Sequence, residues 1–216
     1  MKKVFASDFD GTMYFYKAPD PDKLPAANVE WIRKYQQAGH LFGLCTGRQV
    51  GGLTPFITGL VAPDFYITST GANIIGGDRT PIYRRGVDRA VADAIVREMK
   101  PRGYRLTLDI EGDICVFAKM DYPGFYYVIS GVEDAPQGLI HQVSIHTESP
   151  EEAAQVSAWI NQQFGDHVNA FQNVQEVDIA PLGCTKGKGV LLLKEYMQKK
   201  AAKVVPTIVD ALSDSY

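Results

Sequence analysis

Short apolar runs that end in polar residues alternate with stretches in which apolar positions return every three or four residues. Val4 to Phe9 is the first such run, and its acids at the far end are what a buried parallel strand with functional groups at its carboxyl edge would show. From Asn28 to Gln37, Val29, Ile32 and Tyr35 recur at helical spacing, and Gly39 supplies a stop. Leu41 to Cys45 predicts a second strand, followed by Thr46-Gly47-Arg48 and a weak helix broken near Pro55. Phe65 to Thr68 predicts a third strand. This alternation is that of a doubly wound α/β sheet with a parallel, Rossmann-like core.

After Gly71 the pattern changes. Ile82 to Arg85 predicts a short strand, Asp88 to Met99 a helix, and Tyr104 to Asp109 and Asp113 to Ala118 two strands joined at Glu111-Gly112. Leu139 to His146 is another strand. Ser149-Pro150-Glu151-Glu152 caps a helix running to Phe164, and strands follow at Val168 to Phe171 and Val174 to Ile179. An α+β insert spanning 80–182 is the expectation, which leaves 1–79 and 183–216 as the core. Lys186 to Lys199 then reads as a helix with Val190, Leu193 and Met197 on one face. Val204 to Val209 reads as a strand ending on Asp210, although Pro206 within it removes one ladder donor.

Composition narrows the function classes. The 216 residues suit one large domain or a core with a companion, and 45% hydrophobic residues provide a real core. Twenty-two basic against twenty-five acidic residues leave a net charge of −3, so the basic surface of a nucleic-acid binder is not expected. Cys45, Cys115 and Cys184 form no CxxC pair, which argues against a zinc site or a disulfide framework. No apolar run approaches the roughly 18 to 20 residues a membrane helix needs. No secretory leader is evident before Asp8, so the expectation is a soluble cytoplasmic protein with no membrane partner.

Asp8-Phe9-Asp10-Gly11-Thr12 carries the strongest chemical signal. Alternation along a strand sends two carboxylates separated by one residue to the same side, and a strand end places both at the ligand-binding edge of such a sheet. Leu44-Cys45-Thr46-Gly47-Arg48, Thr70-Gly71-Ala72-Asn73-Ile74 and Gly183-Cys184-Thr185-Lys186-Gly187 follow at intervals. With these four motifs in this order, the chain resembles the haloacid dehalogenase superfamily of phosphohydrolases, in its Cof-type branch. The resemblance covers nearly the whole sequence.

It implies that Asp8 is the nucleophile forming an aspartyl-phosphate, a role open to a carboxylate because it is already ionised at neutral pH. Asp10 maps to the general acid/base, with its backbone carbonyl facing a metal. Thr46 would bond a phosphoryl oxygen, and Lys186, at a helix amino terminus, would neutralise charge there; Lys188 is the rival lysine. Gly47, Arg48 and Asn73 are the further substrate-binding candidates. A hard dication, expected as Mg²⁺, would sit among oxygens of Asp8, Asp10 and the family's fourth motif. Val209-Asp210-Ala211-Leu212-Ser213-Asp214 keeps that motif's two acids but has Val for Gly and Ser for Asn. Asp210 is then the direct ligand and Asp214 its supporting acid. The alternative register makes Asp214 the ligand. The first is preferred because it follows directly on an apolar strand. Relatives usually continue for another helix, strand and helix, so a fragment, a frameshifted end and a weakened enzyme are all open at this stage.

The insert would be a cap of type 2B that selects substrates. Its aromatic turn Asp121 to Tyr127 reads as packing in preference to a gate, Arg84, Arg85 and Lys119 as solvated, and His40, His141, His146 and His167 as surface or hydrogen-bonded residues without ligand spacing. The expected partner is a small phosphorylated metabolite, a sugar phosphate or phosphorylated cofactor, hydrolysed in an Mg²⁺-dependent reaction. The alternatives are a phosphomutase and a catalytically weakened phosphometabolite-binding protein.

Overall fold

The computed structural model describes residues 2–15, 17–18 and 23–200. The strand expected at 204–209, together with Asp210 and Asp214, lies outside the described residues.

The first sheet has the order β1-β2-β3-β4-β5 and comprises β1 (Val4–Ser7), β2 (Leu41–Cys45), β3 (Phe65–Thr68), β4 (Asn73–Gly76) and β5 (Pro81–Arg84). β1, β2 and β3 are parallel, while β4 and β5 return antiparallel. Both faces are covered, as alternation in the strands requires. Phe42, Leu44 and Tyr66 point to one side, against α1 (Ala26–Gln37) and α2 (Val50–Ile57). Val4, Ala6, Phe65 and Ile67 point to the other, against α5 (Lys186–Lys200). Gly43 is small for a reason visible here, since a Cβ would lie 2.4 Å from the Phe65 ring.

The second sheet, in the order β10-β11-β9-β6-β7-β8, is largely antiparallel. It contains β6 (Arg105–Ile110), β7 (Asp113–Val116), β8 (Tyr127–Val128), β9 (Ile140–His146), β10 (Val168–Asn173) and β11 (Glu176–Pro181). α3 (Arg89–Met99) and α4 (Pro150–Phe164) bury Ile95, Met99, Val156 and Ile160 against one face of it. Ser149 caps α4 as expected, its Oγ accepting from the Glu152 amide at 3.1 Å. The opposite face carries Asp109, Gln142, Ser144 and Asp178 and looks toward the first sheet.

Several expectations are corrected. β1 stops at Ser7 instead of Phe9, because the Phe9 carbonyl accepts from the amides of Met13 and Tyr14 at 2.9 Å and Gly11 takes a φ of +71°, so the chain turns at once. β5 pairs with β4 across a tight Gly76–Thr80 turn, so the boundary drawn before residue 80 falls inside the first sheet. β4 itself has no counterpart among the elements the sequence predicts. β11 begins two residues later than expected, because Val174 occupies the turn with a φ of +52°. Helix α2 runs through Pro55 to Ile57 instead of breaking there. Pro55 has no N–H for the Gly51 carbonyl one turn back, and the hydroxyl of Tyr122 donates to that carbonyl at 2.6 Å in its place. The aromatic turn is thus a strut between the second sheet's loop and α2.

Candidate active site

Three segments meet at the carboxyl edge of the first sheet. After β1, Asp8 stands where the backbone leaves the strand, its Oδ1 accepting from the Phe9 amide at 2.7 Å. Thr185 caps α5, its Oγ1 accepting from the Lys188 amide at 3.0 Å, which places Lys186 in the first turn. The Lys186 Nζ donates to Asp8 Oδ2 at 3.0 Å, joining residues 178 positions apart. Lys188 is exposed on the helix, so of the two lysines it is Lys186 that reaches the acid. Gly71 makes this approach possible. Its φ is +86°, and a Cβ there would sit 2.2 Å from the Thr185 carbonyl oxygen.

The turn after β2 supplies the next groups. Thr46 is buried, and its Oγ1 accepts from the Arg48 amide at 3.1 Å. The Arg48 Nε donates to both oxygens of Asp10, at 3.0 and 2.8 Å, while its Nη1 reaches the Gly52 carbonyl at 3.3 Å. The guanidinium also lies over the rings of Phe9 and Phe56, at 5.8 and 5.6 Å from their centres. Asp10 is therefore oriented by the Gly11 turn and by Arg48, and not by strand alternation, because it lies beyond the strand. Cys45, beside Thr46, is inert: burial pushes its thiol up to about 12, with Lys186 opposing and Asp8 reinforcing that shift.

A third turn, Ser69–Gly71 after β3, is left-handed throughout, with φ of +52°, +54° and +86°. Two successive non-glycine residues in that region are strained, and they persist only where surrounding bonds hold them. The Ser69 amide donates to the Arg48 carbonyl at 2.9 Å and that of Thr70 to the Thr46 carbonyl at 3.4 Å. From the second sheet, Asp109 accepts from the Ser69 hydroxyl and Gln142 from the Thr70 hydroxyl. Sequence reasoning did not mark Asp109, Gln142 or Asp178. Their one signal was an acid or amide inside an otherwise apolar strand, as in Val177-Asp178-Ile179-Ala180.

These three residues differ from the acids below them. Asp109 is buried, which pushes its carboxyl above the ordinary range against the opposing pull of His141, the Ser69 hydroxyl and the Gly112 amide. Burial likewise raises Asp178 to about 6, opposed first by the Ser144 hydroxyl, with Glu176 adding to the rise and Lys186 and Asn173 lowering it. Gln142 is buried between them.

Not every expected residue joins the cluster. Asn73, at the start of β4, is buried with its Oδ1 unpartnered and lines a separate cleft of about 350 Å³ with Val50, Arg84 and Glu111. Arg84 stays exposed, as expected, and pairs with Glu111 at the edge of that cleft. Of the two environments expected for the histidines, His141 takes the hydrogen-bonded one. It is fully buried, one ring nitrogen against the Arg85 carbonyl at 2.8 Å and Nε2 without a hydrogen-bond partner. Among the described residues no three His, Cys, Asp or Glu side chains gather as a metal cage, and Asp210 and Asp214 lie outside them. The donors that Asp8 and Asp10 offer are all oxygen, the set a hard dication takes. No helix among the described residues is long and apolar enough to cross a membrane.

Comparison with known proteins gives the family and the fold. A family model described as haloacid dehalogenase-like hydrolase matches residues 5–206. An HMP-PP phosphatase of Citrobacter koseri is 21% identical over 207 residues, covering 91% of this chain and 74% of that protein. A haloacid dehalogenase-like hydrolase from Bacteroides thetaiotaomicron superposes with a TM-score of 0.76 at 16% identity, over 91% of this chain and 77% of the other. A sugar phosphatase of HAD subclass IIB superposes with a TM-score of 0.69 at 20% identity, over 91% and 76%. At such identities the likeness to the solved structures is one of fold.

Proposed function

The chain belongs to the haloacid dehalogenase-like hydrolases, and from that premise we propose that it is an Mg²⁺-dependent phosphatase of small phosphorylated metabolites acting through Asp8. The observation that carries the reading is the Lys186–Asp8 pair, which sets a cation against the carboxylate at the strand edge, with Thr46 on the neighbouring turn. Similarity to an HMP-PP phosphatase and to a sugar phosphatase supports a small phosphorylated substrate.

In this reading an oxygen of Asp8 attacks phosphorus, the bond to the leaving oxygen breaks, and Asp10 delivers a proton to that oxygen. Water then attacks the aspartyl-phosphate, Asp10 takes its proton, and Asp8 and inorganic phosphate are released. Lys186 and Thr46 stabilise the charge on the phosphoryl oxygens. Arg48, now on Asp10, is placed to exchange that carboxylate for a substrate oxygen. Asp8, the Asp10 carbonyl and the acids Asp210 and Asp214 would hold Mg²⁺, which supplies charge neutralisation between nucleophile and phosphate. The second sheet with α3 and α4 would act as a type 2B cap, its polar face over the site choosing the leaving group. Gly47 and Asn73 stay as substrate-side candidates, Asn73 through the cleft it lines. The buried free thiols at Cys45, Cys115 and Cys184 are consistent with a cytoplasmic location.

Phosphate release from a panel of phosphorylated metabolites, with and without Mg²⁺, tests the reading. Metal-dependent turnover that disappears in Asp8→Asn is the expected result. Turnover that survives the substitution overturns it, and binding without turnover would favour the weakened binding protein.

A further inference from the structure

The Gln142 side chain, on β9 of the second sheet, bonds to two of the turns at the edge of the first. Its Nε2 donates to the Gly47 carbonyl at 2.9 Å, and its Oε1 accepts from the Thr70 hydroxyl at 3.0 Å. The same nitrogen lies 2.9 Å from Asp178 Oδ1 and from Ser144 Oγ, and the Ser144 hydroxyl donates to that Asp178 oxygen at 3.0 Å. This surround fixes the amide's orientation. Reversed, it would set its oxygen against the Gly47 carbonyl and the Asp178 carboxylate, three acceptors with no proton between them.

The turn that receives the Nε2 bond is the one that carries Thr46 and Arg48. On the first sheet's side that turn is held by the Ser69 and Thr70 amides and by the Thr46 side chain on the Arg48 amide. The Gly47–Arg48 peptide, whose N–H meets Thr46 Oγ1 and whose C=O meets Gln142, sits between the two sheets. Glycine at 47 admits the contact, since a Cβ would lie 2.7 Å from Asp178 Oδ2. A seam whose only task was to join two sheets would be stable with apolar residues. This one instead ends a chain of buried polar groups on a backbone carbonyl between two site residues.

We propose that Gln142, oriented by Asp178, is a positioning residue for the Thr46–Arg48 turn, coupling the seating of the second sheet to the orientation of the groups that bind phosphate. The proposal rests on the phosphatase reading for its kinetic consequence, but its structural consequence is independent of that reading.

The test uses the full chain, p-nitrophenyl phosphate with Mg²⁺, and the variants Gln142→Glu, Asp178→Asn and the double replacement. Gln142→Glu keeps the side chain's length but turns the donor into an acceptor, and kcat is expected to fall about ten- to a hundredfold with KM little changed. In the double variant the amide introduced at position 178 can donate to the carboxylate introduced at position 142, so the thermal midpoint should recover. The kcat should not, because the Gly47 carbonyl still lacks its donor. Recovery of kcat together with stability, or a wild-type kcat in Gln142→Glu, would overturn the proposal. The Arg48 amide resonance in a ¹⁵N–¹H spectrum reads the same peptide without turnover, and it should shift in Gln142→Glu and in the double variant. If wild type releases no phosphate in an Asp8-dependent manner, the phosphatase reading fails; an unmoved Arg48 resonance is then what overturns the positioning role.

Discussion

Two pairs of aspartates, Asp8 and Asp10 after β1 of the first sheet and Asp109 and Asp178 on the second, are built for opposite ends. Asp8 and Asp10 are met by cations, Lys186 and Arg48, and keep side-chain exposures of 17% and 33%. Asp109 and Asp178 are buried and met by neutral donors: Ser69 and the Gly112 amide for one, Gln142 and Ser144 for the other. A carboxylate beside a cation and within reach of water can attack, accept and release. One enclosed among hydroxyls and amides is held by them and holds them in turn, and burial makes its ionisation costly. The residue type does not separate chemistry from architecture; the partner and the access of water do.

The sharpest way to break this contrast is to remove charge from the exposed pair. Asp8→Asn should abolish phosphate release, a loss of about 10⁴-fold or more, with a fold unchanged by circular dichroism. Lys186→Ala comes next, with kcat expected to drop about 10²- to 10³-fold in a steady-state assay, since it removes the cation that pairs with Asp8 and that the proposed reaction sets against the phosphoryl group.

The buried pair should answer in stability instead. Asp178 holds its proton to about pH 6 when folded, against an ordinary value of 3.8, so in that window the folded chain binds a proton the unfolded chain has lost. Its contribution therefore makes stability fall as pH rises through the window, and it is constant above it. A displacement from 3.8 to about 6 corresponds to up to about 3 kcal/mol. Denaturant titrations of wild type and Asp178→Asn between those limits should diverge with the variant relatively more stable at the higher pH; parallel curves would show that Asp178 is not so perturbed. Ser69→Ala is the smallest change. It leaves Asp109 short of one donor, costs about 1–2 kcal/mol, and should lower the thermal midpoint by a few degrees in calorimetry.

Much of this was legible in the chain. The Asp8-Phe9-Asp10 signature and the Thr46-Gly47-Arg48 turn were readable because each is a local pattern attached to a strand end, and Lys186 in preference to Lys188 was readable from the family resemblance of Thr185-Lys186-Gly187. Asp10 shows where locality misleads. Its spacing from Asp8 predicted a shared strand face, whereas the Phe9 carbonyl and Gly11 place it by a turn. Pro55 shows the reverse, a local helix breaker overruled by Tyr122 from far along the sequence.

The amino-acid sequence by itself determined the order of elements in the alternating first third, the α+β character of the stretch after Gly71, and the family's motifs, because periodicity and turn chemistry act over a few residues. Only the tertiary structure decided which strand completes the first sheet, that Arg48 meets Asp10, and that Gln142, flanked by Asp178, reaches the Gly47 carbonyl. The Arg48–Asp10 and Gln142–Gly47 contacts join residues 38 and 95 positions apart, and the second of them depends on how two sheets seat on each other, which no short-range pattern encodes.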